Sequence, residues 1–84
     1  MEFTEIRKAK LKLYEKYKPL FEEEELTFNV FITKRVGEYA LYVLVEECSD
    51  EAKKFTNEMI PDIFSFGEYE LKVVREFGTY TMME

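Results

Sequence analysis

The residue types that most often carry out chemistry in proteins are sparse in this sequence. The chain of 84 residues contains no histidine and a single cysteine, Cys48. It therefore lacks the commonest general base near neutral pH, the usual Ser or Cys triads and every zinc motif built on imidazole. Its three glycines, Gly37, Gly67 and Gly78, are too widely spaced for a Walker loop or a dinucleotide fingerprint. We expect no enzymatic activity, no cofactor and no catalytic or metal-binding residue.

Cys48 is predicted to lie where a strand gives way to the N-terminus of a helix, a position that can activate a thiol. Its neighbours Glu46 and Glu47 disfavour the thiolate, and no histidine is present to act as its base. The sequence therefore predicts an unreactive thiol. Because a lone cysteine forms no intrachain disulfide, the reducing cytoplasm is the expected location.

Carboxylates are abundant, and residues 22–25 form the densest run, four consecutive glutamates. Consecutive side chains point in different directions from either a helix or a loop. The run also lacks the Asp-x-Asp-x-Asp-Gly spacing of a calcium loop. We interpret it as a solvated acidic connection.

The charges are unevenly distributed within a net charge of −6. The first 20 residues hold six basic and three acidic side chains, whereas the rest of the chain holds six and fifteen. Lys8, Lys12 and Lys16 recur every fourth residue, and like charges at that spacing destabilise an isolated helix by about 0.2–0.5 kcal/mol per pair. The lysines must be balanced by Glu5 and Glu15, by the acidic remainder of the fold, or by an acidic partner.

Nucleic acid fits this lysine face poorly as a partner. The net charge is negative, only three arginines are present, and no glycine-rich KH-type loop exists. A weak nucleic-acid binder nevertheless remains one alternative. The acidic body suggests another, an inhibitor that presents carboxylates where a nucleic-acid-binding protein expects phosphates.

Apolar spacing predicts two amphipathic helices. The first covers residues 3–18 and ends there, because Pro19 disfavours the helical conformation of the residue before it. Ser49 is a good N-cap for the second helix. Pro61 is expected to kink or restart that helix, whose predicted core-facing residues are Ala52, Phe55, Met59 and Ile63.

Alternating patterns predict the strands. Residues 26–33 alternate and should have one mostly buried face, whereas residues 39–45 are apolar on both faces and should form a central strand covered on two sides or nearly so. Gly37 marks the turn of the hairpin between them. Residues 69–77 predict a third strand, and residues 79–83 are an optional fourth.

These elements predict one α+β domain over residues 1–84. The economical arrangement is a two-layer sandwich, an antiparallel sheet of three or four strands with both helices on one face, in the order α-β-β-α-β(-β). The longest apolar run, residues 39–45, is far too short to span a membrane.

Since chemistry is not expected, binding is the remaining role. Apolar side chains on both faces of the hairpin suit a dimer interface, and the outer strands of the sheet offer strand addition. We predict a small non-catalytic protein-interaction module that self-associates or docks to a protein partner. Its candidate binding residues are Lys8, Lys12, Lys16, Phe31, Tyr42 and Leu44.

Overall fold

Two helices and four strands make up the computed structural model, which describes residues 2–78. In chain order the elements are α1 (Phe3–Glu23), β1 (Phe28–Arg35), β2 (Glu38–Val45), α2 (Asp50–Met59), β3 (Ile63–Phe66) and β4 (Tyr69–Phe77). The predicted α+β class is confirmed. The fourth strand is β3, which comes before β4, and the predicted optional strand at residues 79–83 lies outside the described residues.

The four strands form one mixed sheet in the order β1-β2-β4-β3. The two outer pairs, β1 with β2 and β3 with β4, are antiparallel, whereas the central pair of β2 and β4 is parallel. The predicted all-antiparallel sheet is therefore wrong. The reason is the connection: α2 and β3 together return the chain so that β4 runs in the same direction as β2.

Both helices contribute to a core on one face of this sheet. The register places Val30 opposite Val43 and Leu41 opposite Val73, and all four side chains are buried. The core cluster joins these strand residues to the buried stripe of α1: Ile6, Ala9, Leu13, Tyr17 and Phe21. Within residues 2–78 neither helix covers the opposite face. Strand β2 is central in the sheet, as predicted, and on that face Leu44 is 9% exposed and Tyr42 half-buried.

Helix α1 does not end at residue 18. It continues through Pro19 to Glu23, although a proline inside a helix costs about 3 kcal/mol relative to alanine. The continuation buries Phe21 completely, with its ring 4.6 Å from that of Phe28 and 5.0 Å from that of Phe55. Burying a phenylalanine contributes about 1.5–3 kcal/mol, and aromatic pairs add more, so tertiary packing offsets the cost of the proline.

The C-terminus of α1 is closed by a Schellman motif. The Leu26 N–H donates to the Phe21 carbonyl (2.9 Å) and the Glu25 N–H to the Glu22 carbonyl (3.0 Å). Glu25 adopts the left-handed conformation at φ 58°, which this motif requires. The acidic run at residues 22–25 is therefore part of a helix end rather than a connection.

Helix α2 begins as predicted. The Ser49 hydroxyl accepts a hydrogen bond from the Ala52 N–H at 3.1 Å, and Asp50 and Glu51 occupy the first turn, where the helix dipole favours carboxylates. The Ser49 hydroxyl also donates to the Glu47 carboxylate.

Helix α2 ends at Met59, two residues before Pro61. Arg75 of β4 donates to the Ile60 carbonyl at 2.6 Å, which fixes the end of the helix against the sheet. The predicted helical stripe does not extend to Ile63, because that residue begins β3 and is 52% exposed.

Candidate interaction surfaces

The uncovered face of the sheet, hereafter the open face, carries a row of apolar side chains across three strands. Phe31 of β1 is opposite Tyr42 of β2, and Tyr42 is opposite Val74 of β4. The two aromatic ring centroids are 6.3 Å apart. Phe31 is 41% exposed, while Tyr42 and Val74 are half-buried. The structure thus brings together the aromatic pair identified from sequence.

Leu44, the third residue predicted for this surface, lies on the open face but is only 9% exposed. The register places it between Asn29 and Glu76. The Asn29 side-chain amide donates to the Glu46 carboxylate at 2.9 Å, so this end of the face is polar. An apolar row beside polar residues is the usual anatomy of a protein interface.

A second surface, hereafter the β1 groove, lies between α1 and the outer strand β1. It has a volume of about 770 Å³. Its apolar lining comes from both elements: Phe3, Leu11, Tyr14, Val30, Phe31 and Ile32. Its remaining lining comprises Thr4, Asn29 and three cations, Arg7, Lys8 and Lys10. The groove therefore combines an apolar floor with a positive rim, and no carboxylate lines it.

The lysine face predicted from sequence, Lys8, Lys12 and Lys16, lines two different depressions of the surface. Lys8 lines the β1 groove, whereas Lys12 and Lys16 line a smaller depression that includes Phe64 of β3. All three lysines are exposed, and within residues 2–78 no carboxylate oxygen lies within 4 Å of their ammonium groups. The Lys16 ammonium lies 5.4 Å from the centroid of the Tyr17 ring.

Glu5, one of the residues expected to balance the lysines, has other contacts. Its carboxylate accepts from the backbone N–H of Glu2 at 2.9 Å, as part of the capping box that begins α1. It also accepts from the Tyr69 hydroxyl at 3.4 Å. The negative charge of Glu5 is the main cause that raises the pKa of Tyr69, followed by burial and by Glu68.

The groups that could do chemistry are dispersed over the molecule. Cys48 is exposed and forms no disulfide within the described part of the chain. Over the same residues, no three His, Cys, Asp or Glu side chains gather into a group that could hold a metal ion. Glu22, from the acidic run, pairs with Lys18 at 4.0 Å on the exposed side of α1.

Neither of the two helices described has the length and apolar character needed to cross a bilayer. Comparisons with protein-family models, with curated proteins and with solved structures found no match. The surfaces described above are therefore the basis for any functional proposal.

Sequence reasoning identified the open face but missed the β1 groove. Alternation in the hairpin was sufficient to place Phe31 and Tyr42 on the same face. The groove depends on β1 being an outer strand, which follows from the parallel pairing of β2 with β4. One signal was available: Phe3, Arg7, Lys10 and Tyr14 recur at helical spacing beside the core stripe.

Proposed function

We propose that this chain is a non-catalytic protein-interaction module that self-associates or docks a protein partner on the open face of its sheet. One observation carries the proposal: the row of Phe31, Tyr42 and Val74 crosses three strands without a helix over it. Aromatic side chains are enriched at the centres of protein interfaces, because each buries a large area at a small cost in conformational entropy.

Light scattering after size exclusion, over a wide range of protein concentrations, tests this function. The full chain is expected to self-associate or to purify with a stoichiometric protein partner. Phe31→Ser should weaken that association by about tenfold or more, the effect expected for truncating an interface anchor. Leu20→Ser is the matched control, because Leu20 is 39% exposed against 41% for Phe31 and lies on α1.

Two results would contradict the proposed function. One is a chain that remains monomeric at every concentration and purifies from its native cell extract without a stoichiometric protein. The other is an association that Leu20→Ser weakens as much as Phe31→Ser.

The cytoplasm is the proposed site of action. Cys48 is exposed, and a reducing compartment would keep its thiol from forming disulfides between molecules. Alkylation of Cys48 in intact cells by a membrane-permeable thiol reagent, compared with an impermeable reagent, would test the location.

The lysines favour one second candidate, weak binding of nucleic acid. Lys12 and Lys16 are exposed, and within the described residues no carboxylate pairs with them. Such binding would weaken steeply with added salt, because phosphate contacts release counterions. If replacing Lys8, Lys12 and Lys16 with glutamate leaves the affinity for a nucleic acid unchanged, this candidate is wrong.

A further inference from the structure

The outer strand β1 directs half of its backbone groups away from the sheet. The Glu46 N–H donates to the Thr27 carbonyl at 2.9 Å, and the hairpin register places these two residues opposite each other. Hydrogen-bonded and non-hydrogen-bonded pairs alternate along an antiparallel ladder. The backbone groups of 29, 31 and 33 therefore face β2, and those of Phe28, Val30, Ile32 and Lys34 face outward.

Over residues 28–33 this edge lacks the features that usually prevent further pairing. Strand β1 pairs with β2 over eight continuous positions without a bulge, and it contains no proline. Lys34, near the turn, is its only charged residue before Arg35. Within residues 2–78, no strand pairs with the outer side of β1. Proteins normally shorten, bend or charge such an edge.

The β1 groove runs alongside the same edge. Val30 and Ile32, whose backbone groups face outward, also line the groove. A strand added to β1 would place alternate side chains on the α1 side of the sheet, against the groove. Phe3 and Leu11 also line the groove, and their side chains are 53% and 56% exposed, so they are available to contact an added strand.

The charge of the groove indicates the chemistry of its occupant. Arg7, Lys8 and Lys10 line it without any carboxylate, although the whole chain has a net charge of −6. A positive patch attracts negatively charged segments, repels basic ones and gives neutral ones no electrostatic advantage. An extended acidic segment is therefore the best electrostatic match to the groove.

We propose that β1 captures an extended acidic segment of another protein by strand addition. The backbone of that segment bonds to the outward groups of Val30 and Ile32. Its alternate apolar side chains enter the β1 groove, and its carboxylates meet Arg7, Lys8 and Lys10. This inference rests on the proposed function as an interaction module. Its surface includes Phe31 and Asn29 of the open face, but not Tyr42, Leu44 or Val74.

Amide hydrogen exchange of the full chain, followed by NMR, tests the mode of binding. The probe is a capped peptide of about eight residues, the typical length of a long strand, in which valine and glutamate alternate. Adding it should slow exchange at the outward amides of Val30 and Ile32. The amides of Phe31 and Thr33, already bonded to β2, should change little. The same peptide with lysine in place of glutamate should bind about tenfold more weakly or not at all.

Matched variants separate the backbone contribution from the side-chain contribution. Ile32→Pro removes an outward N–H, whereas Ile32→Ala removes the same side chain and keeps that N–H. The proline variant should bind the valine-glutamate peptide at least about tenfold more weakly than the alanine variant. Circular dichroism of both variants checks that they fold, and the exchange pattern of the unmodified chain decides the question if either does not.

Charge is tested in the same way. Replacing Arg7 and Lys10 with glutamine should weaken peptide binding by about tenfold. Replacing Lys53 and Lys54 of α2 with glutamine changes the net charge equally and should have little effect, because both are exposed and neither lines the groove. Equal losses from the two double variants would overturn the charge assignment.

Other occupants give other results, and each of these overturns the proposal. If peptide addition perturbs Tyr42 and Val74 but not Val30 and Ile32, the peptide binds the open face. If exchange at the outward amides is already slow without peptide and quickens on dilution, a second copy occupies the edge. Tyr42→Ser, on the open face and outside the groove lining, should leave peptide binding unchanged. Because Tyr42 does not line the groove, this variant separates the two proposals. An association that Tyr42→Ser leaves intact contradicts the proposed function, whereas a lack of protection at Val30 and Ile32 on adding peptide contradicts this inference alone.

Discussion

The two outer strands of the sheet, β1 and β3, present unequal edges. Strand β1 has eight residues and directs the backbone groups of four of them outward. Strand β3 has four residues, and the bond from the Val73 N–H to the Asp62 carbonyl sets a ladder in which only Ile63 and Ser65 face outward. Pro61 lies two residues before β3 and has no N–H to donate to an added strand.

The difference shows how a small sheet can be closed at one edge and available at the other. A short strand next to a proline offers too few backbone groups to hold another chain. A long, regular strand beside an apolar groove offers both the hydrogen bonds and the side-chain pockets that strand addition uses. In our proposal, Arg7, Lys8 and Lys10 of the groove favour acidic segments among those that could pair with β1.

The largest expected effect tests which residues of β1 face outward. Thr33→Pro removes an N–H that bonds to β2 and leaves a carbonyl without its partner, so it should lower the free energy of unfolding by about 2–3 kcal/mol. Lys34→Pro removes an outward N–H and should cost less than about 1 kcal/mol, mainly from the loss of the ammonium placed 5.0 Å from the Tyr39 ring centroid.

Urea denaturation of both variants measures this difference. Thr33→Ala serves as the control, since it removes the Thr33 hydroxyl, which donates to the Ala40 carbonyl at 3.4 Å, but keeps the N–H. If Lys34→Pro destabilises the protein as much as Thr33→Pro, the alternation assigned to β1 is reversed.

A smaller effect is expected where β3 begins. Arg75 donates to the Ile60 carbonyl and also to the Asp62 carboxylate, so it holds both sides of Pro61 against β4. Arg75→Ala should lower the free energy of unfolding by about 1.5 kcal/mol, most of it from the carbonyl bond, because Asp62 is exposed and surface ion pairs contribute little. Lys72→Ala is the control. Lys72 is exposed and lies three residues before Arg75 in β4, so its loss should be nearly neutral in thermal unfolding.

The parts of the fold that local patterns determine were predictable from the sequence. The β1–β2 hairpin follows from alternation on both sides of Gly37, and the start of α2 follows from Ser49 as an N-cap. For the same reason Phe31 and Tyr42 could be placed on one face. The α+β class follows from the order of these elements.

The missed parts depend on contacts between distant residues. The continuation of α1 past Pro19 depends on Phe21 packing against Phe28 and Phe55, which no local pattern reveals. Strand β3 was missed because Ile63 falls at a spacing that fits either a helix or a strand. The parallel pairing of β2 with β4 makes β1 an outer strand, so the groove could not be foreseen without it.

The turns of the two hairpins also differ, and each predicts a change of about 1 kcal/mol. The β1–β2 turn has Val36 at φ 50° and Gly37 at φ 80°, a type I′ geometry that strains a β-branched residue. Val36→Asn should stabilise the protein.

The β3–β4 turn has Gly67 at φ 60°. Gly67→Ala should therefore destabilise the protein through backbone strain alone, since a Cβ there meets no atom within 4 Å. Thermal unfolding measures both, and shifts of the same sign would contradict this assignment.

The smallest effect concerns pH and the tie between the β3–β4 hairpin and α1. Tyr69, opposite Phe66 in that hairpin, donates to Glu5, and the carboxylate raises the pKa of the phenol above its ordinary value of 10.0. The folded protein therefore holds this proton more tightly than the unfolded chain. The resulting stability is fully present below pH 10.0 and is lost as the pH rises through the raised pKa.

Glu5→Gln removes the negative charge and should lower the pKa of Tyr69 toward its ordinary value. Ultraviolet titration of phenolate, taken as the difference between each protein and its Tyr69→Phe variant, isolates this one tyrosine. An unchanged Tyr69 titration in Glu5→Gln would show that α1 does not hold this hairpin through its charge.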